Sequence, residues 1–423
     1  MKLTYCQEKS RHDLEQTGSY YEEDVLNPKI AAREKVLSIR EELVAISRRI
    51  HTTPELGFEE EHACAWLSEF LGDAGFKVRQ GICDLPTAFS AQAGSGPLHV
   101  AICAEYDSLP VFGHACGHNI IAATSVGAAL AAACVADDVG ITVEVIGTPA
   151  EEVQNASGKV LLLERGAFST AHLAMMAHPG PVDVIAPKII AASMFDVRYI
   201  GKEAHASAFP ELGINAADAL TIAQVAIGLL RQHIRPNDRI HGIVTKGGDA
   251  PNIVPADTAA RFMIRSETLE ELGHLRPRVY RCFEAGAAAT GAQLTIKGGD
   301  KPYAHMIHDA SLASFYRQNA ESLGRHFRDD HFERAAISTD MGNVSLALPA
   351  IHPMISIDSL PAVNHQPEFT AHCASEAADK ALIDGAVALA LTAIDAAQDG
   401  VTRERLLRRP GRVPVYSQAD QNI

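Results

Sequence analysis

Long apolar runs, dense cysteine patterns, aromatic side chains and basic charge are all scarce in this sequence, and each scarcity excludes something. The longest uninterrupted apolar stretch, residues 120–136, carries Thr124 and Ser125 and stops short of the roughly 20 residues a membrane-spanning helix needs, so it reads as a buried helix. Eight cysteines, at positions 6, 64, 83, 103, 116, 134, 282 and 373, are scattered over 423 residues, which is the usage of reduced thiols and not of a disulfide framework. No apolar core follows Met1, so the start does not read as a secretory signal, and a cytoplasmic location is expected. Lysine and arginine number 37 against 52 aspartates and glutamates, for a formal net charge of -15. A field of that sign repels phosphate backbones and argues against a nucleic-acid partner. Aromatic residues, 6% of the chain, say nothing of the substrate.

The remainder has the composition of a soluble globular protein, 47% hydrophobic and 21% charged. A chain of 423 residues exceeds what one core of about 250–300 residues accommodates, so two domains are expected. There is no internal repeat or low-complexity tract, and the one basic run, 403–412, reads as a solvated tail.

Hydrophobic periodicity predicts two opening helices over 28–50 and 59–71, with Pro54 and Gly57 punctuating between them. Strand 98–104, helix 119–136 and strand 141–146 follow, an alternation that argues a largely parallel sheet covered by helices on both faces. Residues 192–298 change pattern: strand 192–200, helix 214–233, strands 239–245 and 258–266, helix 269–289 and strand 293–297, the β-α-β-β-α-β order of a ferredoxin-like unit. Leu272, Leu275, Val279 and Phe283 stand at helical spacing in its second helix. The earlier alternation then resumes with helix 311–323 and the apolar run 350–357. The expected architecture is an α/β domain, 1–191 and 303–423, interrupted by a smaller α+β domain over 192–302.

In open α/β sheets ligands gather beyond the carboxyl ends of the strands. Strand 98–104 leads into Glu105, Asp107 and Gly113-His114-Ala-Cys116-Gly-His118-Asn119; strand 141–146 leads into Glu151-Glu152; 171–177 ends at His178; and His365 lies near the end of the chain. Cysteine, histidine and glutamate are the donors that suit Zn, Mn, Co or Ni, and the glycine between Cys116 and His118 lets both face one ion. Adjacent acids also favour a helix's first turn; alternatively, one carboxylate of the Glu151-Glu152 pair binds metal while its neighbour takes a proton from a metal-bound water. In the smaller unit, His205 sits in the loop 201–215 and Asn252 opens the segment to Pro255, where turn and capping chemistry alone could account for the residues.

These residues together resemble the M20 metallopeptidase family, in particular its amidohydrolase branch with the plant auxin-conjugate hydrolases, the aminobenzoyl-glutamate hydrolase subunits and dipeptidase-like members. The resemblance runs from Arg49-Ile-His-Thr-Thr-Pro-Glu-Leu-Gly through Glu105-Tyr-Asp-Ser-Leu-Pro, Gly113-His-Ala-Cys-Gly-His-Asn, Thr148-Pro-Ala-Glu-Glu, Gly201-Lys-Glu-Ala-His-Ala and Ala250-Pro-Asn-Ile-Val-Pro to Ser338-Thr-Asp-Met-Gly-Asn-Val-Ser. It implies that Cys116, His118, Glu152, His178 and His365 hold one or two divalent ions, manganese or zinc, with Glu151 as general base. It also implies that the inserted domain is a dimerisation domain, that its His205 reaches into the partner subunit's site to stabilise an oxyanion, and that Asn252 contacts substrate. Hinge closure between the domains would complete the site. Two positions depart from the pattern. Glu105 stands where the wider family has a histidine, and Asn119 replaces the aspartate of the auxin-conjugate branch.

The implied reaction is attack of metal-bound water on the amide of an N-acyl or aminobenzoyl amino acid or a small dipeptide. The same motifs also admit hydrolytic deamination of an aminobenzoate, and a binding protein that has lost turnover is the non-enzymatic alternative.

Overall fold

The computed structural model describes residues 27–153, 155–328 and 337–408. Cys6 and the basic run beyond Arg408 lie outside them.

The opening helical stretch divides into Pro28–Ser38 and Arg40–Thr52 because Ile39, at φ -115 and ψ 19, leaves the helical region. The helix Glu61–Asp73 follows, then strands Lys77–Gln80 (β1), Phe89–Gly94 (β2) and Leu98–Ala104 (β3). Beyond the helix His118–Ala133 come Ile141–Gly147 (β4), the helix Gly158–Glu164, Leu173–Met175 (β5) and His178–Gly180 (β6). The second unit comprises Ala191–Ile200 (β7), the helix Ala216–Leu230, Arg239–Lys246 (β8), Asp257–Ser266 (β9), the helix Leu269–Thr290 and Gln293–Gly298 (β10). The chain returns through helices Ala310–Glu321 and Met341–Ala347, strands Ala350–Ile351 (β11) and Met354–Ser356 (β12), and helices Pro367–His372, Glu376–Gln398 and Gly400–Leu407.

The large sheet has the order β1-β2-β4-β3-β5-β11. Its β4, β3, β5 and β11 are parallel, as the alternation of strand and helix predicts, but β1 and β2 add an antiparallel margin that the sequence pattern does not announce. The sheet is therefore mixed. Both of its faces are buried: Val100 and Ile102 of β3 join one core with Val126 and Val143, while Ala101 and Cys103 join the other with Ile121 and Leu162.

Among the described residues the longest apolar helix is Glu376–Gln398, whose sequence is interrupted by Asp379, Lys380, Asp384 and Asp395 and so contains no long unbroken apolar run. By length and composition it could cross a membrane, but 83% of its apolar window is buried inside the protein. It lies against His118–Ala133 through small side chains, with a Cβ on Gly127 falling 3.1 Å from Ala386 Cβ and one on Gly385 equally close to Thr124. The basic residues of the last helix are not a loose solvated tail. Arg403 donates to the carbonyls of Val139 and Ala397, and Arg405 pairs with Asp309.

The second sheet has the antiparallel order β10-β7-β9-β8, with its own core of Phe195, Tyr199, Phe262, Leu272, Leu275, Val279 and Phe283. The chain crosses between the two units at Ala192 and Tyr303, whose backbones exchange hydrogen bonds of 3.1 and 2.9 Å. Truncating Leu389, fully buried in the long helix, to alanine is expected to cost about 2–5 kcal/mol. Denaturant unfolding measures it, and an unchanged midpoint would mean that this face of the helix is not packed.

Candidate metal centre

The carboxyl ends of the parallel strands place the predicted donors. Glu105 and Asp107 follow β3 directly; Glu151 and Glu152 follow β4 by way of Ala150, which holds the left-handed φ of 59. His118 opens its helix from Gly117, at φ 80, where a Cβ would lie 2.4 Å from Pro179 Cγ. Only glycine fits that turn, and the turn aims Cys116 and His118 the same way. His178 begins β6, and the His365 N–H donates to Ala115 O at 2.8 Å, tying the last histidine to the Cys116 loop.

The five predicted ligands meet. Cys116 Sγ is 3.5 Å from His178 Nε2. His118 Nε2 is 3.5 Å from Glu105 Oε2, 3.9 Å from Glu151 Oε2 and 4.0 Å from Glu152 Oε1, and His365 Nε2 is 3.5 Å from that same Glu152 oxygen. Three overlapping donor sets result, each with its atoms within 4.8 Å of one another: Cys116, His118 and His178; Cys116, Glu152 and His365; His118, Glu151 and Glu152.

The hydrogen bonds around these donors suit a cation. His118 Nδ1 is 2.8 Å from Asp107 Oδ1, whose other oxygen accepts the Glu152 N–H at 2.8 Å. His178 Nδ1 meets the carbonyl of Pro179 at 2.8 Å. A carbonyl can only accept, so the Nδ1 proton is fixed and the Nε2 lone pair is turned inward. His118 Nε2, Glu105 Oε2 and Glu152 Oε1 are buried with no hydrogen-bond partner. Unsatisfied buried polar atoms lying this close together are costly without a partner, and a divalent cation would satisfy His118 Nε2 and Glu152 Oε1, which belong to the donor sets.

Charge tells the same story. Burial, and then Glu152, push the Cys116 thiol far up, a penalty that coordination to a cation reverses. Burial takes His178 down to about 4, which keeps it a neutral ligand. Burial alone would raise Asp107, but the His118 imidazole beside it holds the carboxyl below its usual range; His118 is raised in return, against its own burial.

Glu105, in place of the expected histidine, is not stranded. Lys159 Nζ contacts Glu105 Oε1 and lies 2.6 Å from Asp340 Oδ1, and all three side chains are fully buried. Burial works against the ammonium, yet Asp340 and Glu105 hold it above its usual range. Sequence reasoning missed Lys159 and left Asp340 without a task. Asp340 stands in a quoted motif, but nothing in Ser-Gly-Lys marks a buried cation.

His205 and Asn252 join none of the donor sets. Both are exposed in the second unit and lie together, with the Ala206 N–H donating to Asn252 O at 3.0 Å. Asn119 turns away to Ser47 Oγ and Cys373 O, locking its helix in place.

A model of peptidase family M20/M25/M40 matches residues 105–396. The chain belongs to this family. It is thus a metal-dependent hydrolase of C–N bonds. It is 37% identical over 394 residues to the Xaa-Arg dipeptidase of Mus musculus, covering 88% of this chain and 91% of that one. It is 30% identical to a p-aminobenzoyl-glutamate hydrolase subunit of Escherichia coli, over 59% of this chain and 56% of the other. Among solved structures, its fold is similar to a putative aminohydrolase from Staphylococcus aureus, with TM-score 0.71, 19% identity and coverage of 88% and 100% of the two chains. A dinuclear metal binding M20 peptidase from Bacillus subtilis aligns with TM-score 0.63, 20% identity and coverage of 85% and 99%.

Asp107→Asn in this M20 chain is expected to lower metal affinity about 10–100-fold, read by competition with a chromogenic chelator; equal affinity would remove the orienting role. Glu60, fully buried, accepts from Thr87 Oγ1 at 2.8 Å and from the Ala150 N–H at 2.7 Å. Burial first, then Asp107, raise its carboxyl from 4.5 to about 7. Its stabilisation is therefore complete below 4.5 and is lost as pH rises through about 7. Glu60→Gln is expected to flatten the stability profile across that interval in denaturant titrations, and an unaltered slope would count against it.

Proposed function

We propose that this M20 hydrolase cleaves the amide bond of dipeptides or of N-acyl or aminobenzoyl amino acids. Its manganese or zinc would be held by Cys116, His118, Glu152, His178 and His365, with Glu151 as general base. The observation that carries this reading is geometric: the five donors and Glu151 meet in three overlapping sets, each with its atoms within 4.8 Å of one another. The two adjacent carboxyls are also driven apart, Glu151 upward by burial and then Glu152, Glu105 and Asp340, and Glu152 downward by His365 and His118 against its burial, which supports separate roles for them. Cys116, His118 and Glu152 each belong to two of the three donor sets, which supports one or two ions sharing donors.

A bound divalent ion supplies Lewis acidity to water and to the scissile carbonyl. Glu151 accepts the proton of the attacking water and delivers it to the departing amine, so the carboxyl ends as it began. Asp107 keeps His118 in the ligating tautomer, and Lys159 balances Glu105. The named activities of related chains support this substrate class: Xaa-Arg dipeptidase, p-aminobenzoyl-glutamate hydrolase, and N-acetyl-L-cysteine deacetylase of Bacillus subtilis, 25% identical over 67% of this chain.

A homodimer through the second unit belongs to the same reading, with His205 and Asn252 offered to the partner's site. Its support is an open apolar margin: Val225 and Leu229 on the helix Ala216–Leu230 are each 61% exposed, and Ile243 on the edge strand β8 is 65% exposed. A reducing cytoplasm suits it, since the described cysteines form no disulfide.

Glu151→Gln is expected to abolish release of amino acid from dipeptides and N-acyl amino acids, while metal content by mass spectrometry stays at the wild-type level. Full turnover would remove Glu151 as base, and free ammonia from an aminobenzoate would replace amide cleavage by deamination. His205→Ala is expected to be inactive but metal-loaded, with activity partly restored on mixing with Glu151→Gln. No restoration would confine His205 to its own subunit or exclude it from the chemistry.

A further inference from the structure

Three successive backbone groups around Glu151 are tied down by three side chains from distant segments. The Ala150 N–H donates to Glu60, the Glu152 N–H donates to Asp107, and between them the Glu151 carbonyl accepts from the hydroxyl of Tyr303. Glu60 and Asp107 belong to the large unit. Tyr303 stands at the boundary, where the chain re-enters the large unit from the second sheet, paired with Ala192 where the chain leaves it.

Tyr303 is itself held on both sides by one side chain. Asn343 Oδ1 accepts the Ala304 N–H at 2.9 Å, and Asn343 Nδ2 donates to Pro302 O at 3.1 Å. The adjoining Gly342 makes room for this, because a Cβ there would fall 2.1 Å from Ala304 O. Tyr303 is 2% exposed and Asn343 is fully buried, so water does not replace either partner. The segment Ser338-Thr-Asp-Met-Gly-Asn-Val-Ser, prominent in the sequence and assigned no chemistry above, thus has two arms toward the site: Asp340 to Lys159, and Asn343 to the peptide bonds flanking Tyr303.

We propose that Tyr303, bracketed by Asn343, is a positioning residue that sets the aim of Glu151 and links it to the crossing between the two units. This rests on Glu151 being the base. A shift of the crossing strands moves Tyr303, and the hydrogen bond carries that shift to the Glu151 backbone. The bond is made to the Glu151 carbonyl and not to its carboxylate, so Tyr303 acts through the backbone of the base. Its loss changes the placement of the base and leaves the ligand set intact.

The test is Tyr303→Phe, which keeps the ring and removes only the donor, beside Asn343→Leu, the double variant and Glu151→Gln. A catalytic group displaced by a fraction of an ångström to about 1 Å loses about ten- to a hundredfold in rate. Tyr303→Phe is expected to lose kcat by that factor, with KM within about twofold and metal stoichiometry unchanged. Because the two residues act as one unit, the double variant is expected to lose little more than the worse single variant. If Glu151→Gln is inactive and Tyr303→Phe retains wild-type kcat, the positioning role is wrong and the base stands. If Tyr303→Phe loses metal, or raises KM with kcat unchanged, Tyr303 supports ligation or binding instead and the proposal falls. If Glu151→Gln turns over normally, the base assignment has failed, and the positioning role fails with it.

Discussion

Buried negative charge is the constraint on which this molecule depends. Glu105, Asp107, Glu151, Glu152 and Asp340 converge with the Cys116 thiol at the carboxyl ends of the parallel strands, where water cannot screen them. Lys159 is a buried cation beside them, committed to Glu105 and Asp340. On the proposed assignment the remaining charge would be met by a cation between Cys116, His118, Glu152, His178 and His365. The helices behind the sheet, packed closely through small side chains, suit this requirement, since mutually repelling groups stay in register on a scaffold that does not relax.

That scaffold is stiff for identifiable reasons. The central strands are buried on both faces, the helices His118–Ala133 and Glu376–Gln398 approach through glycine and alanine, and the Cys116-Gly117-His118 turn leaves no space for a side chain at its middle residue. The second unit is built differently, as an antiparallel sheet with one helical face, and it reaches the centre through few connections. His205 and Asn252 stay at its surface, and the crossing at Ala192 and Tyr303 is where its position is communicated.

Much of this was legible in the residues. Strand 98–104 and the β-α-β-β-α-β order could be read because buried strands and amphipathic helices leave a local period; Cys116, His118, Glu152 and His178 stand beyond predicted strand ends, whereas His365, and the grouping of the five as proposed ligands, rest on the family resemblance. β1 and β2 were missed because they are short and lack a continuous apolar run; Lys77–Gln80 is exposed at three of its four positions and carries Lys77 and Arg79. The long helix near the end was overlooked because Asp384 and Asp395 interrupt its apolar surface. Lys159, Tyr303 and the tasks of Asp340 and Asn343 left no local signal at all. Their partners lie far away in sequence, and the meaning of a buried lysine or a bracketed tyrosine exists only once the chain has brought them together.

Of the five ligands, His365 stands apart. It adopts a left-handed φ of 70 and its side chain is 53% exposed, against 6% for Glu152 and 0% for His118. On the proposed assignment, four donors are set in the floor of the site and one in its doorway. An ion held there would face solvent past this imidazole, so the exposure of a single side chain would govern how readily the ion exchanges.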